Sequence, residues 1–292
     1  MIKKGIILAG GRGSRMSPLT KAVNKQLLPI FDKPLLFYPL SILMLAGIKD
    51  ILIIVNKGQK NQFKKILPNG NNLGIKISYA EQSKPKGLPD AFIVAEKFIG
   101  KDNVALILGD NFFYSQNLTE KLRNAVKLKT GATVFLHPVK NPNLYGVAIK
   151  SNKNKILKII EKPKKFVSDL AVTGLYMFDN KVVQLSKVLK PSKRNELEIV
   201  DLLNIYRQKN KLSSVLLGRG SAWLDAGSIQ DFYDTTYFVS AIENRQGFKI
   251  ACIEEISLNN NWITKKDILK SIKFYGKCSY SIYLNKLIKK YK

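Results

Sequence analysis

Two cysteines and one histidine in 292 residues leave the chain without the side chains on which most redox, zinc and triad enzymes depend. Cys252 and Cys278 match neither a CxxC motif nor a zinc-ligand spacing, and two cysteines in a chain this long make no disulfide framework. His137 stands alone, directly before Pro138, which argues against Ser-His and Cys-His catalysis and for a structural role. Long apolar runs are missing too. No stretch reaches the about 18 uncharged apolar residues that span a bilayer. The apolar run at 5–9 is about five residues long, short of the roughly 7–15 of a secretion signal. A soluble cytoplasmic protein is expected.

Acidic residues are scarce as well: 21 Asp and Glu face 49 Lys and Arg, a formal charge of +28. Such an excess points toward a polyanion. Arginine, however, is scarce among the bases, at seven of the 49. Bidentate reading of bases and phosphates favours arginine forks, whereas lysine is a hydrated point charge. The lysines are scattered, with no run of five or six to form a tail. Region 265–292 carries nine Lys to one Asp, with Tyr275, Tyr280, Tyr283 and Tyr291. Its Ile268, Leu269, Ile272, Leu284, Leu287 and Ile288 read as a core-facing stripe with lysines on the solvated side. Neither a nucleic acid nor a membrane partner is expected.

What is present is a core. At 45% hydrophobic and 10% aromatic residues, the chain is too apolar for disorder and long enough to bury a large interior. Strand-like runs at 5–9, 51–55, 75–79, 104–108 and 132–136 alternate with helix-like segments at 37–46, 89–98 and 118–128. This rhythm predicts an α/β fold, a Rossmann-like, mostly parallel sheet flanked by helices. From about Tyr145 the strands shorten, at 146–149, 156–161 and 174–178, with helices at 180–189 and 198–208. Positions 229–245 and 265–292 read as helical, giving one continuous body with a C-terminal helical appendage. Ligands of such sheets sit beyond the carboxyl ends of the strands, where Gly10 to Gly13 and Gly109-Asp110 fall.

The loop Leu8-Ala9-Gly10-Gly11-Arg12-Gly13-Ser14-Arg15 follows the first strand. Three glycines in four positions let backbone N–H groups approach an anion, and a following helix N-terminus would add positive potential. The glycines alone are equally compatible with an ordinary strand–helix turn. They form neither a Walker A motif nor a dinucleotide fingerprint. Arg15 and Lys25 add full charges nearby.

Together with Pro18-Leu19-Thr20 and Lys25-Gln26-Leu27-Leu28-Pro29, this loop resembles the signature of the sugar nucleotidyltransferase family. Within that family it looks most like the branch that couples dTTP to glucose 1-phosphate, the first step of dTDP-L-rhamnose synthesis. Gln26 after the lysine is characteristic of that branch. Ordered matches continue at Gly109-Asp110-Asn111, Tyr145-Gly146-Val147, Glu161-Lys162-Pro163, Val172-Thr173-Gly174, Glu196-Leu197-Glu198-Ile199, Trp223-Leu224-Asp225 and Arg245-Gln246-Gly247. The resemblance implies a catalytic domain at 1–240, with a nucleotide-binding part to about 140 and a small β-containing sugar-binding part at about 141–228. A mostly helical region at 241–292 would then serve as an oligomer or regulatory interface, and the family is commonly a homotetramer.

The implied reaction brings a sugar phosphate dianion to a triphosphate, so catalysis is positioning and charge neutralisation and needs no histidine. By resemblance, Asp110 and Asp225 bind Mg²⁺. Arg15 and Lys25 hold the triphosphate, and Lys162 binds the sugar phosphate. The nucleotide would further meet Leu8, Gly10, Gly11, Gly13, Ser14, Gln26, Gln82, Pro85, Gly87 and Leu88. Gln26 and Gln82 each offer the donor–acceptor amide that a thymine edge requires. The sugar would meet Asn111, Tyr145, Gly146, Glu161, Val172, Thr173 and Glu196. Tyr145 and Tyr176 either stack on a ring or pack in the core. Departures from the family pattern are Ser14, Asn24, Lys86, Pro89-Asp90 and Ser115-Gln116. They bear on base preference and on end-product feedback.

Overall fold

The computed structural model describes residues 1–11 and 13–290. The first half runs β1 (Lys4–Leu8), β2 (Pro29–Ile30), β3 (Lys33–Pro34), α1 (Phe37–Leu45), β4 (Asp50–Asn56), α2 (Lys60–Ile66), β5 (Lys76–Gln82), α3 (Asp90–Val94) and α4 (Glu96–Ile99). It continues with β6 (Val104–Leu108), β7 (Asn111–Tyr114), α5 (Leu118–Ala125) and β8 (Ala132–Pro138). The second half adds β9 (Gly146–Lys150), β10 (Ile156–Glu161), β11 (Leu170–Phe178), α6 (Val182–Lys187), α7 (Ile199–Gln208), β12 (Leu212–Leu216) and β13 (Ala222–Asp225). Helices α8 (Ile229–Gln246), α9 (Ile253–Asn259), α10 (Lys265–Tyr275) and α11 (Ser279–Lys290) complete the described chain.

Strands β6, β1, β4 and β5 pair in parallel, as the βαβ rhythm requires. Beyond β6 the sheet continues in antiparallel fashion through β11 to β9 and β10, with β8 and β12 branching from β11. Alternation within the buried strands sends neighbouring side chains to opposite faces. Ile7, Ile51, Ile53 and Ile107 join α1 and α5 in one apolar cluster. Ile6, Leu52, Ile54 and Leu106 join α3 and α7 in another. Helix α1 is buried on all sides, which explains its lack of a polar face.

Several expected helices are shortened by local chemistry. The segment 89–98 is two short helices, α3 and α4, meeting at Ala95. Region 265–292 divides at Gly276, whose φ of 71° ends α10. Helix α8 starts in a capping box between Ser228 and Asp231 and ends at Gly247 in left-handed conformation. No described helix is long and apolar enough to cross a membrane.

Two pairings position the site. Strand β7 runs antiparallel to β13, setting Asn111 opposite Asp225. Gly87 forms an isolated parallel bridge with Leu197, which ties the β5–α3 loop to the loop before α7. A Cβ on Gly87, whose φ is 101°, would lie 2.1 Å from the Leu197 carbonyl oxygen. Substitution of Gly87 by Ala is therefore expected to destabilise the protein by about 3 kcal/mol, combining left-handed strain with backbone overlap. The midpoint of urea unfolding checks this.

Candidate functional site

A cavity of about 280 Å³ opens beyond the ends of β1 and β6, between the parallel half of the sheet and β9 to β11. Its wall holds Arg15, Gly87, Leu88, Asp110, Asn111, Tyr145, Gly146, Glu161, Val172, Glu196 and Asp225, all singled out from the sequence. Two carboxylates, Asp110 and Asp225, share its wall. Asp110 follows β6, and its backbone carbonyl accepts from Ala226 N–H at 2.9 Å. Asp225 ends β13, and the Tyr145 hydroxyl donates to its Oδ1 at 3.0 Å. Tyr145 is thus an edge-on partner of the carboxylate, with its ring 5.0 Å from Trp223. Tyr176 packs in the core against Phe178 and shows the cavity only part of its surface.

The two aspartates differ electrically. Burial opposes charge on Asp110, but the Lys25 ammonium at 2.5 Å and the Asn111 amide hold its carboxyl below the usual range. Among the described residues no cation pairs with Asp225. Burial, then the negative charges of Asp110 and Asp231, push it up to about 6 against the Tyr145 hydrogen bond. Among the described residues no cluster of three acidic, histidine or cysteine groups forms. Two hard carboxylates in one cavity wall nevertheless suit Mg²⁺, which takes one or two protein carboxylates and fills its shell with other oxygens and water.

Asn111 braces this pair. Its Oδ1 accepts from Gly174 N–H at 3.0 Å and from the Trp223 indole at 2.7 Å, while Nδ2 donates to Asp110 Oδ1 at 3.0 Å. A Cβ on Gly174 would come within 2.5 Å of that oxygen. The Asn111 side-chain hydrogen bonds thus run within the protein.

The Gly-rich loop departs from expectation in one respect. No α-helix follows it. Ser14–Met16, Leu19–Lys21 and Lys25–Leu27 are single 3-10 turns, so the loop does not lead directly into an α-helix N-terminus. Asn56, at the end of β4, exchanges hydrogen bonds with both the N–H and the carbonyl of Gly11. Gly13 adopts φ 57°, closed by the Thr20 hydroxyl on its carbonyl at 2.8 Å. Arg12 lies outside the described residues. Arg15 is exposed, its guanidinium resting against Gly227 beside Asp225.

Leu8, Gly10, Gly11, Gly13, Ser14, Lys25, Gln26, Gln82 and Pro85 lie away from the lining of this cavity. The Gln82 amide packs on Gly10, where a Cβ would come within 2.4 Å of it, and Gln26 packs on Gly109. Both glutamines are buried. Asn24, where the family carries serine, accepts from Gln26 N–H at 2.9 Å and donates to Gln59 at 2.6 Å. The longer side chain thus caps the turn and also reaches α2's leading residue. Lys162 is exposed and off the lining, in a left-handed backbone with φ 44° that positions it directly after Glu161. Thr173 is not a cavity residue: its hydroxyl donates to the Phe135 carbonyl at 3.0 Å within the core. His137 shares a hydrogen bond with the Ser221 carbonyl at 3.2 Å, away from the cavity lining.

Sequence reading passed over Arg194 and Glu198. Arg194 Nη2 lies 2.8 Å from Glu198 and 3.4 Å from Glu161, the one cation of the described cavity wall on the β10 side. Burial raises the Glu161 carboxyl, with Arg194 and Lys162 opposing. The available signal was an arginine, rare in this chain, placed two residues before the Glu196-Leu197-Glu198 motif. Trp223, part of the Trp223-Leu224-Asp225 motif, lines the wall as well.

Known proteins align with this geometry. The family model described as Nucleotidyl transferase matches residues 4–241. The glucose-1-phosphate thymidylyltransferase of Neisseria meningitidis serogroup A is 48% identical over 98% of this chain and 100% of its own. The enzyme of that name from Mycobacterium tuberculosis is 40% identical over 98% and 99%. A crystal structure of a Bacillus anthracis protein, provisionally named glucose-1-phosphate thymidylyltransferase and bound to sucrose, superposes with a TM-score of 0.75 at 39% identity. That match covers 80% of this chain and 94% of the other. UDP-glucose pyrophosphorylase with UDP-glucose follows at 0.73 and 26%, covering 84% and 100%.

The raised Asp225 carboxyl has a stability consequence. The metal-free fold favours its protonated form, so this contribution is present below about pH 4 and lost as pH rises to about 6. Asp225→Asn is expected to raise the thermal midpoint of the metal-free protein at pH 7.5 and to leave it unchanged near pH 4. Calorimetric scans of both proteins across that range check the sign.

Proposed function

The chain belongs to the nucleotidyl transferase family, and we propose that it transfers a thymidylyl group from dTTP to α-D-glucose 1-phosphate, releasing pyrophosphate. The observation that carries this reading is the cavity itself. Asp110, paired with Lys25 behind the wall, stands with Asp225 and Arg15 in one part of the lining, and Glu161, Gly146 and Arg194 line another. One part suits a triphosphate and the other a sugar phosphate.

In this reading a phosphate oxygen of glucose 1-phosphate attacks the α-phosphorus of dTTP. A new P–O bond forms as the bond to the β-phosphate oxygen breaks, and pyrophosphate leaves with the electron pair. No protein group is covalently modified. The obstacle is repulsion between anions, so the enzyme's work is to orient and neutralise. Arg15 and Lys25 hold the triphosphate and the departing pyrophosphate, and backbone groups of Leu8, Gly10, Gly11, Gly13 and Ser14 cradle it. Asp110 and Asp225 would hold Mg²⁺, which supplies further charge neutralisation when bound. Gln26 and Gln82 present amides to the thymine edge, with Pro85, Gly87 and Leu88 covering the nucleoside. Glu161, Gly146, Tyr145, Asn111, Glu196 and the backbone at Val172 frame glucose, and Lys162 meets its phosphate.

This reading places the product, dTDP-glucose, at the entry to dTDP-L-rhamnose or related deoxysugar synthesis, made by a cytoplasmic enzyme. It also carries a homo-oligomer, a tetramer by resemblance. The exposed Tyr233 and Tyr237, one turn apart on α8, support such an interface.

Pyrophosphate release with dTTP, glucose 1-phosphate and Mg²⁺ is the decisive assay. Asp110→Asn and Asp225→Asn are each expected to lower it at least about a hundredfold. Near-normal turnover in Asp110→Asn would remove the carboxylate assignment. Lys162→Ala is expected to raise KM for glucose 1-phosphate about tenfold with a smaller change for dTTP. Across the nucleoside triphosphates, dTTP or UTP is expected to outrun CTP, because a Gln amide matches the thymine or uracil edge.

A further inference from the structure

We infer that the buried ion pair between Lys33 and Glu243 is a positioning device for the nucleotide side of the site. It fixes the Lys25-Gln26 segment against the strand end that carries Asp225. The inference rests on the proposed roles of Lys25, Gln26 and Asp225 and adds residues outside the cavity that act through them.

Lys33 Nζ lies 2.9 Å from Glu243 Oε1, with the two side chains 2% and 4% exposed. Charged groups this deep are rare and expensive to desolvate, so their stability value is small or negative. What they supply is geometry. Glu243 Oε1 also accepts from Ile250 N–H at 2.8 Å, and its Oε2 lies 3.2 Å from Lys249 Nζ. Asp32 completes the group, paired with Lys33 at 2.5 Å and with Lys249. Lys33 also sits over the Tyr38 ring, 5.4 Å from its centroid. Every charge in the network has an opposite neighbour.

The network joins two rigid pieces. The first is the β2–β3 hairpin, which pairs Ile30 with Lys33. Its exit strand feeds Leu35 and Leu36, whose N–H groups donate to the Leu28 and Gln26 carbonyls at 2.9 Å. The Lys25-Gln26 turn is therefore clamped to the hairpin. Phe31, in the hairpin turn, holds a left-handed φ of 59°, a strain that persists where surroundings over-determine it. The second piece is α8, an unbroken 18-residue rod. Its cap Ser228 lies three residues past Asp225, and Glu243 sits near its far end. Ile30, Leu35, Tyr38, Phe112, Ala226 and Val239 pack around the junction as one apolar cluster. That cluster is non-directional grease. The ion pair within it selects one register between hairpin and rod, and thus between Lys25 and Asp225.

The test uses the full chain with dTTP, glucose 1-phosphate and Mg²⁺. Glu243→Gln alone strands the Lys33 charge and risks unfolding, so the informative protein is the double variant Lys33→Met with Glu243→Gln. There Gln can still accept from Ile250, and Lys249 keeps Asp32. Its thermal midpoint is expected to stay within a few degrees of wild type. Its calorimetric dTTP affinity is expected to fall about tenfold and kcat about tenfold to a hundredfold, with KM for glucose 1-phosphate moving less than about twofold. Lys33→Arg, which keeps the charge, is expected to hold dTTP affinity near wild type. Wild-type dTTP affinity and kcat in the folded double variant would overturn the inference. So would parallel changes in both substrates that track a lowered thermal midpoint. A wild-type protein that binds no dTTP overturns the proposed function itself, an outcome told apart by that control.

Discussion

The antiparallel pairing of β7 with β13 is the contact on which the site depends. It sets Asn111 opposite Asp225 and so brings together two carboxylates from distant parts of the chain. Backbone pairing alone would leave the strand ends free to twist. Asn111 removes that freedom by bonding β11, Trp223 and Asp110 with one amide. Because its polar atoms are satisfied inside the protein, they resist any rearrangement that would leave one unpaired. A glycine at position 174 is the steric condition for the arrangement, since any side chain there would meet the amide oxygen.

The carboxylate pair is electrostatically unfavourable in the free protein. Lys25 relieves it on one side only, so the Asp110 carboxyl is held below its usual range while burial and the Asp110 charge push that of Asp225 up to about 6. Holding two like charges in one cavity wall is a strain that a stability-driven sequence would avoid. The same strain prepares a place for positive charge. The sugar side is balanced differently, with Arg194 between Glu161 and Glu198. The cavity wall thus carries both carboxylates and cations, Arg15 and Arg194 among them.

The formal charge of +28 plays a smaller part than its size suggests. Few of the cations stand at the cavity, and the long lysine series lies elsewhere. Scattered lysines raise the arrival rate of anions at low salt and lose that effect once screened. Buried cations are more consequential. Lys33 and Lys249 lie in the interface between hairpin, α8 and the C-terminal helices, with Lys249 also facing the Tyr280 and Tyr283 rings.

Much of the fold was legible in the chain. Continuous apolar runs in β1, β4 and β6, buried along their length, and the βαβ spacing specify a helix-flanked parallel sheet, because run length and connection length are local properties. The glycine loop, Asp110 and Asp225 were legible as motif positions. Strands β7, β12 and the β2–β3 hairpin were not, being short and without marked periodicity. Arg194 escaped because a single arginine carries no local pattern. Sequence by itself determined which residues are chemically able to serve and which faces are buried. Tertiary structure alone decided that Asp110 shares a cavity wall with Asp225 and pairs with Lys25, that Thr173 turns into the core, and that 3-10 turns follow the glycine loop. The physical reason is that strand-edge pairing and side-chain amide bonds join segments far apart in the chain, and no local period encodes which edge finds which.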